Sequence, residues 1–320
     1  SIGSQQAAAQ AFDYSADRET SLRVCDQYFY RGEKLEADRC YSGLLVNSDD
    51  AVVRAEAAWR KGDLTAANAY FRTAVELAPE SPRARTRWGR LFLTTHQNSE
   101  AIKLFQEALE LDGEYIPAKM GLASVAAGRF EDRARALVGE VLEADSSQIE
   151  AQLLLARMSL EDGALARAEE ALTEVLRVAE EHDLPPLEVY ALSASVDLLQ
   201  GITESAWTER ALAYNPGFGE IYATPAHFYV ITRRYREAIE LLFKAVHIQP
   251  DLWSAHAELG VNLLRENRVE EAQEHLSLAY QGDPYSAQIV NTLRLIDSFD
   301  NFQVLNRDLS PSNRGSMSVK

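Results

Sequence analysis

An alanine returns in this chain about every 34 residues. Ala67, Ala101, Ala134, Ala168, Ala238 and Ala272 are separated by 34, 33, 34, 70 and 34 positions; the long step is two periods, and its missing member falls near Glu204. A fixed period in this range marks stacked supersecondary units, each too small to bury its own apolar face. Such a chain buries each unit on its neighbours and has no single central core. It is an interaction surface first.

The late units are the clearest. Ala255, Leu259, Leu263 and Leu264 space like one helical face, Arg265-Glu266-Asn267-Arg268 interrupts, and Val269, Ala272, Leu276, Ala279 and Tyr280 form a second stripe. Pro284 ends it, since proline cannot continue a helix. Each unit therefore reads helix, turn, helix, stop. Gly89 and Gly260 in first helices, and the recurring alanines in second helices, fall where two helices must approach closely.

This pattern resembles the tetratricopeptide repeat. One copy carries Trp88-Gly89, Phe92, Ala101, Phe105 and Ala108, and another Gly62, Ala67, Phe71, Ala74 and Pro79. Later copies carry Tyr229, Ala238, Leu242, Ala245 and Pro250, then Leu259-Gly260, Leu263, Ala272, Leu276, Ala279 and Pro284. Weaker copies run through Ala37, Tyr41 and Leu44, through Gly121, Ala134 and Val141, and through Ala211, Leu212 and Pro216, the last preceded by an insertion at 180–186 read as a longer loop. The resemblance implies an all-α, right-handed superhelix of about eight repeats. The expected layout is an extension or first helix over 1–19, one continuous array over 20–285, a capping helix over 286–300 with Ser286 as N-cap, and an extended, mobile tail over 301–320.

Residues 291–302 resemble the segment that joins such arrays to a zinc-peptidase-like domain in some large bacterial proteins. That implies a non-catalytic module of a larger enzyme as an alternative function. No His-Glu-x-x-His is present here, so no zinc catalytic motif is carried over.

The chain has 320 residues, 46% of them hydrophobic, and a formal net charge of −17. Nucleic-acid binding needs a basic footprint and is not expected. No apolar run reaches the ~18 residues that suggest a membrane span. The start, Ser1 to Ala9, has neither the basic residues nor the apolar run of an intact signal peptide. Cytoplasm and bacterial periplasm both remain open. Cys25 and Cys40 fall on the two helices of one hairpin; a disulfide suits an exported protein, while two buried free thiols are the commoner state of a helical core.

No catalytic constellation emerges. The six histidines show no i, i+4 pair for a metal, and His256 sits at a packing position. Gly217-Phe218-Gly219 is turn chemistry, and the acidic pairs lie on solvated faces. The expectation is no enzyme, no cofactor and no metal.

The resemblance implies that first helices line an inner, concave face that contacts extended peptides. Arg83, Arg87 and Arg90 share one helical face. Lys119 and Arg157 fall near similar positions in the next repeats, and Arg60 ends the preceding first helix. Arginine forks suit carboxylates, so a basic lane within an acidic protein suggests a partner's acidic segment or C-terminal carboxylate. The alternative is pairing with acids of neighbouring helices. Tyr190 and His227 represent the aromatic inner positions of the later half, where a partner's apolar anchors would fit. Self-association through the ends of the array is a further expectation.

Overall fold

The computed structural model describes residues 13–15, 17–128 and 130–308, the last part, from Ser298, as helix backbone. The described residues are helical, without strands. They form two compact units, the first ending at Leu252 and the second starting at Trp253, where one continuous array was expected.

The first unit contains α1 (Thr20–Tyr30), α2 (Lys34–Asn47), α3 (Ala51–Arg60), α4 (Leu64–Leu77), α5 (Pro82–Thr94), α6 (Asn98–Leu111), α7 (Ile116–Ala127), α8 (Glu131–Ala144), α9 (Ile149–Glu161), α10 (Leu165–Glu181), α11 (Leu187–Leu199), α12 (Ala206–Tyr214), α13 (Glu220–Ile231) and α14 (Tyr235–Ile248). Odd-numbered helices pair with the even-numbered ones that follow, and from α3 to α13 each odd helix also packs on the next odd one. The weaker sequence copies form hairpins like the strong ones.

The recurring alanines explain this packing. All six show 0% exposure, and each lies on a second helix facing its partner. Phe105 of α6 makes the same point from the other side. A Cβ built on Gly89 of α5 would lie 2.7 Å from its ring, and one on Gly121 of α7 would lie 2.5 Å from it. One ring therefore fills the space that two glycines leave. Where the period fails, near Glu204, α12 is short and starts only at Ala206. Of the insertion at 180–186, the first two residues are helix, since α10 continues to Glu181, and 182–186 form the loop.

Hairpin turns use a left-handed residue. Gly62 supplies it after α3 (φ 81°), and His96, Arg233 and Asn267 occupy it elsewhere with φ between 58° and 62°, at a cost that glycine avoids. Asp50, Asp63, Ser81 and Ser205 cap their helices through side-chain oxygens. In the first hairpin Cys25 and Cys40 are bridged, with Cα atoms 5.4 Å apart. This corrects the free-thiol reading: facing positions on two packed helices bring the sulfurs together. The C-terminal end of α1 also meets the far part of the unit. Asn215 Nδ2 donates to Tyr30 O at 3.0 Å, and Tyr30 shares a core with Leu192 and Phe228.

The second unit contains α15 (Trp253–Arg265), α16 (Val269–Gly282) and α17 (Ala287–Asp308). Gly260 packs on Leu276, and Ala257, Ala279 and Ile289 form its core. His256 is buried as expected, but its Nδ1 lies 2.9 Å from Nδ1 of His275. Ser286 Oγ is 3.5 Å from Ile289 N, at the start of α17. That helix passes through the start of the segment read as extended and is described as far as Asp308. No glycine or proline lies between Pro284 and Pro311 to break it. The rest of the expected tail, 309–320, lies outside the described residues.

Candidate functional site

The inner faces of five first helices surround a cavity of about 160 Å³ in the first unit. Every helical residue in its wall comes from α3, α5, α7, α9 or α11, and the two others are Asp13 and Tyr14. Its lining is part apolar, with Trp59, Leu93, Met120 and Leu153, and part charged, with Arg60, Arg90 and Arg157 and with Glu56, Glu150 and Glu188.

The segment before α1 lies across this face. Arg87, 1% exposed, is its centre. The guanidinium bonds Asp13 and Asp17, donates to Ser15 Oγ at 2.7 Å, and stands 3.3 Å from Glu56. One turn on, Arg90 forks onto Glu150 at 2.9–3.0 Å and reaches Asp13 at 3.3 Å. Tyr115, the residue before α7, donates to Asp17. Tyr14 points to the other wall, where its hydroxyl donates to Pro185 O at 2.5 Å and its ring enters the core containing Leu153 and Leu187. Arg18 anchors the base of the segment by forking onto Asp26 of α1 at 2.7–2.9 Å and bonding Glu56. Tyr41 also donates to Asp26, at 2.5 Å.

Buried charges persist only when paired and hydrogen-bonded. Burial alone would raise the carboxyl of Asp13; Arg87, Arg90 and Arg18 together hold it well below the usual carboxylate range. Asp17 is lowered by the same competition, burial against Arg87 and Arg90 with help from Tyr115. Glu150 goes the other way, because burial outweighs Arg90 and Asp13 adds repulsion.

The eight residues singled out from sequence separate into groups. Arg87 and Arg90 meet at the segment, and Arg60, Arg90 and Arg157 line the cavity. Arg60 approaches Asp26 at 3.7 Å and Arg157 bonds Glu188 at 3.0 Å. Arg83 bonds Asp50 at 2.8 Å, and Lys119 bonds Glu114 at 2.8 Å; neither lines the cavity. Tyr190 stacks on Trp207 with centroids 5.6 Å apart, His227 packs edge-on to Phe228, and the cavity includes neither. Sequence reasoning missed Asp13, Tyr14, Asp17, Arg18 and Asp26. Their signal was two aspartates four apart in the first stretch, and an acid on the inner side of a first helix.

Residues 52–116 match the tetratricopeptide repeat family. The comparison with curated proteins found no match. A tetratricopeptide repeat protein from Parabacteroides merdae has a solved structure similar to this chain (TM-score 0.51, 17% identity), covering 78% of this chain and 98% of that one. A chain of the APC/C hetero-tetramer Cut9–Hcn1 is similar with TM-score 0.54 and 17% identity, covering 85% of this chain and 54% of that one. The present chain thus spans about half the length of that relative. At these identities the likeness shows the fold. No helix among the described residues is long and apolar enough to cross a membrane.

Proposed function

We propose that this chain, whose residues 52–116 match the tetratricopeptide repeat family and whose fold is like that of such a protein, is a protein-interaction scaffold whose inner face holds an acidic segment of a partner. The observation that carries this reading is the pairing of Arg87 and Arg90 with carboxylates of a non-helical segment across that face. Five first helices supply one continuous wall, and an extended peptide can run along it while side chains enter the cavity. Arginine forks favour carboxylates, whether of Asp, Glu or a chain terminus. The inner-face arginines and Lys119 guide the approach, while Tyr190 and His227 extend the surface toward the later repeats. Cut9–Hcn1, by its description a hetero-tetramer, is a precedent for this fold within a protein assembly.

Random peptides displayed on phage and selected on the full chain test the reading. Sequences rich in Asp and Glu should emerge, and Arg157→Gln with Arg83→Gln should weaken the selected peptides without loss of helicity. Both arginines are partly exposed, so their removal leaves the buried network intact. Selection of neutral or basic sequences, or indifference to both substitutions, would end it.

A further inference from the structure

We propose that Asp13, Tyr14, Ser15 and Asp17 are an intramolecular ligand of the groove, and that the partner is a protein segment that replaces them with the same chemistry. That chemistry is an aspartate, a tyrosine directly after it, a hydroxyl next, and a second acid four residues beyond the first. The inference rests on the scaffold reading and names the motif that the scaffold takes.

Three observations carry it. The segment precedes α1 and is not helical at Asp13, Tyr14 and Ser15, whereas the hairpins of the array pack helix on helix. Its contacts are nevertheless those of a bound peptide. Asp13 and Asp17 converge on Arg87, Ser15 Oγ accepts from the same guanidinium, and Tyr14 reaches Pro185 on the opposite wall. Finally, Asp13 and Tyr14 form part of the wall of the 160 Å³ cavity, so a segment following the same path borders space that the described residues leave open.

Withdrawal of the segment would remove both Asp13 and Asp17 from Arg87 and leave it Glu56 alone. An incoming motif with two acids restores what is lost, so exchange is favoured over simple opening. Arg18, held by Asp26 and Glu56, keeps the base of the segment in place. Its tether gives Asp13, Tyr14, Ser15 and Asp17 a high effective concentration, on the order of millimolar for short flexible links. A competitor therefore binds with an affinity reduced by the fraction of molecules whose groove is open.

The test uses the full chain and a fluorescent peptide with the sequence of residues 13–19. Asp13→Asn with Asp17→Asn should bind the peptide at least about tenfold more tightly than the unaltered chain, whose own segment competes. A peptide with both aspartates changed to asparagine should bind neither protein. Should the double variant fail to fold, Tyr14→Ala removes the anchor on the far wall and leaves the partners of Arg87 in place; the same order of affinities is expected. Equal affinity for unaltered and variant chains, or no binding to a folded variant, overturns the proposal. So does sedimentation of the unaltered chain as a dimer that the variant loses, since the segment would then serve a second copy. If the peptide fails while phage selection still returns acidic sequences dependent on Arg157, the self-ligand falls and the scaffold reading stands.

Discussion

Arg87→Met tests the central ion network. The side chain is 1% exposed and meets three carboxylates, Asp13, Asp17 and Glu56. Removing one partner of a buried pair costs about 3–5 kcal/mol, because the charge left behind is neither solvated nor matched. Here part of that cost has a way out. Asp13 and Asp17 sit on a segment outside the hairpins and can return to water, whereas Glu56 is fixed on α3 and retains Arg18. The loss should therefore fall near the lower limit, about 3 kcal/mol, and be concentrated in the segment. Asp13→Ala should cost about 1–3 kcal/mol, since Arg87 keeps two acids. With Arg87→Met already present, Asp13→Ala should cost little. Urea denaturation followed by far-UV circular dichroism gives the global values for both single variants and the double variant. Hydrogen exchange of residues 13–19 shows where the loss resides. A coupling energy near 2 kcal/mol is expected for residues in direct contact; additivity within about 0.5 kcal/mol would mean that the two are not energetically linked and would refute the reasoning.

Gly121→Ala places a methyl 2.5 Å from the Phe105 ring, which Gly89 hems in from the other side; overpacking of about 1–3 kcal/mol should exceed the helix-propensity gain of about 1 kcal/mol and lower the melting temperature. Gly139→Ala in α8 meets nothing within 4 Å and should instead stabilise by about 0.5–1 kcal/mol in the same assay. Cys25 and Cys40 lie 15 residues apart, so Cys25→Ala with Cys40→Ala should cost about 3 kcal/mol by loss of loop closure, read as a urea midpoint that reductant no longer moves. Burial holds His275 below its ordinary value of 6.5 against the opposing pull of Glu274 and Glu271, with Arg268 adding to the lowering. A lowered folded-state value means that its contribution is present above 6.5 and lost as the pH falls. Lower amide protection factors in α15 and α16, measured relative to the intrinsic exchange rate at each pH, are therefore expected on acidification from about pH 7.5 to 5, and His275→Gln should remove much of that dependence.

Periodicity made the hairpins legible because side-chain burial in a helix repeats with the backbone: Ala67, Ala101, Ala134 and Ala168 are alike in sequence because they are alike in surroundings. Gly89 and Gly260 could be assigned to close helix contacts for the same reason. The extent of α17 differs from the sequence reading because Phe299 to Leu305 was taken as a turn and a short extended run, although no glycine or proline lies from Ala287 to Asp308. The lane of Arg83, Arg87 and Arg90 was visible from spacing on one helix. What the lane holds was not, because Asp13 lies 74 positions from Arg87 and no local pattern links them. Amino-acid order by itself determined that this chain is a stack of helical hairpins with arginines on one face, since both follow from contacts within a few helical turns. Only the tertiary structure decided that the arginines are matched by the chain's own carboxylates, that Cys25 meets Cys40, and that His256 meets His275. Those pairings depend on how separate helices and a leading segment come together in space, and electrostatic partners are chosen by distance and burial there.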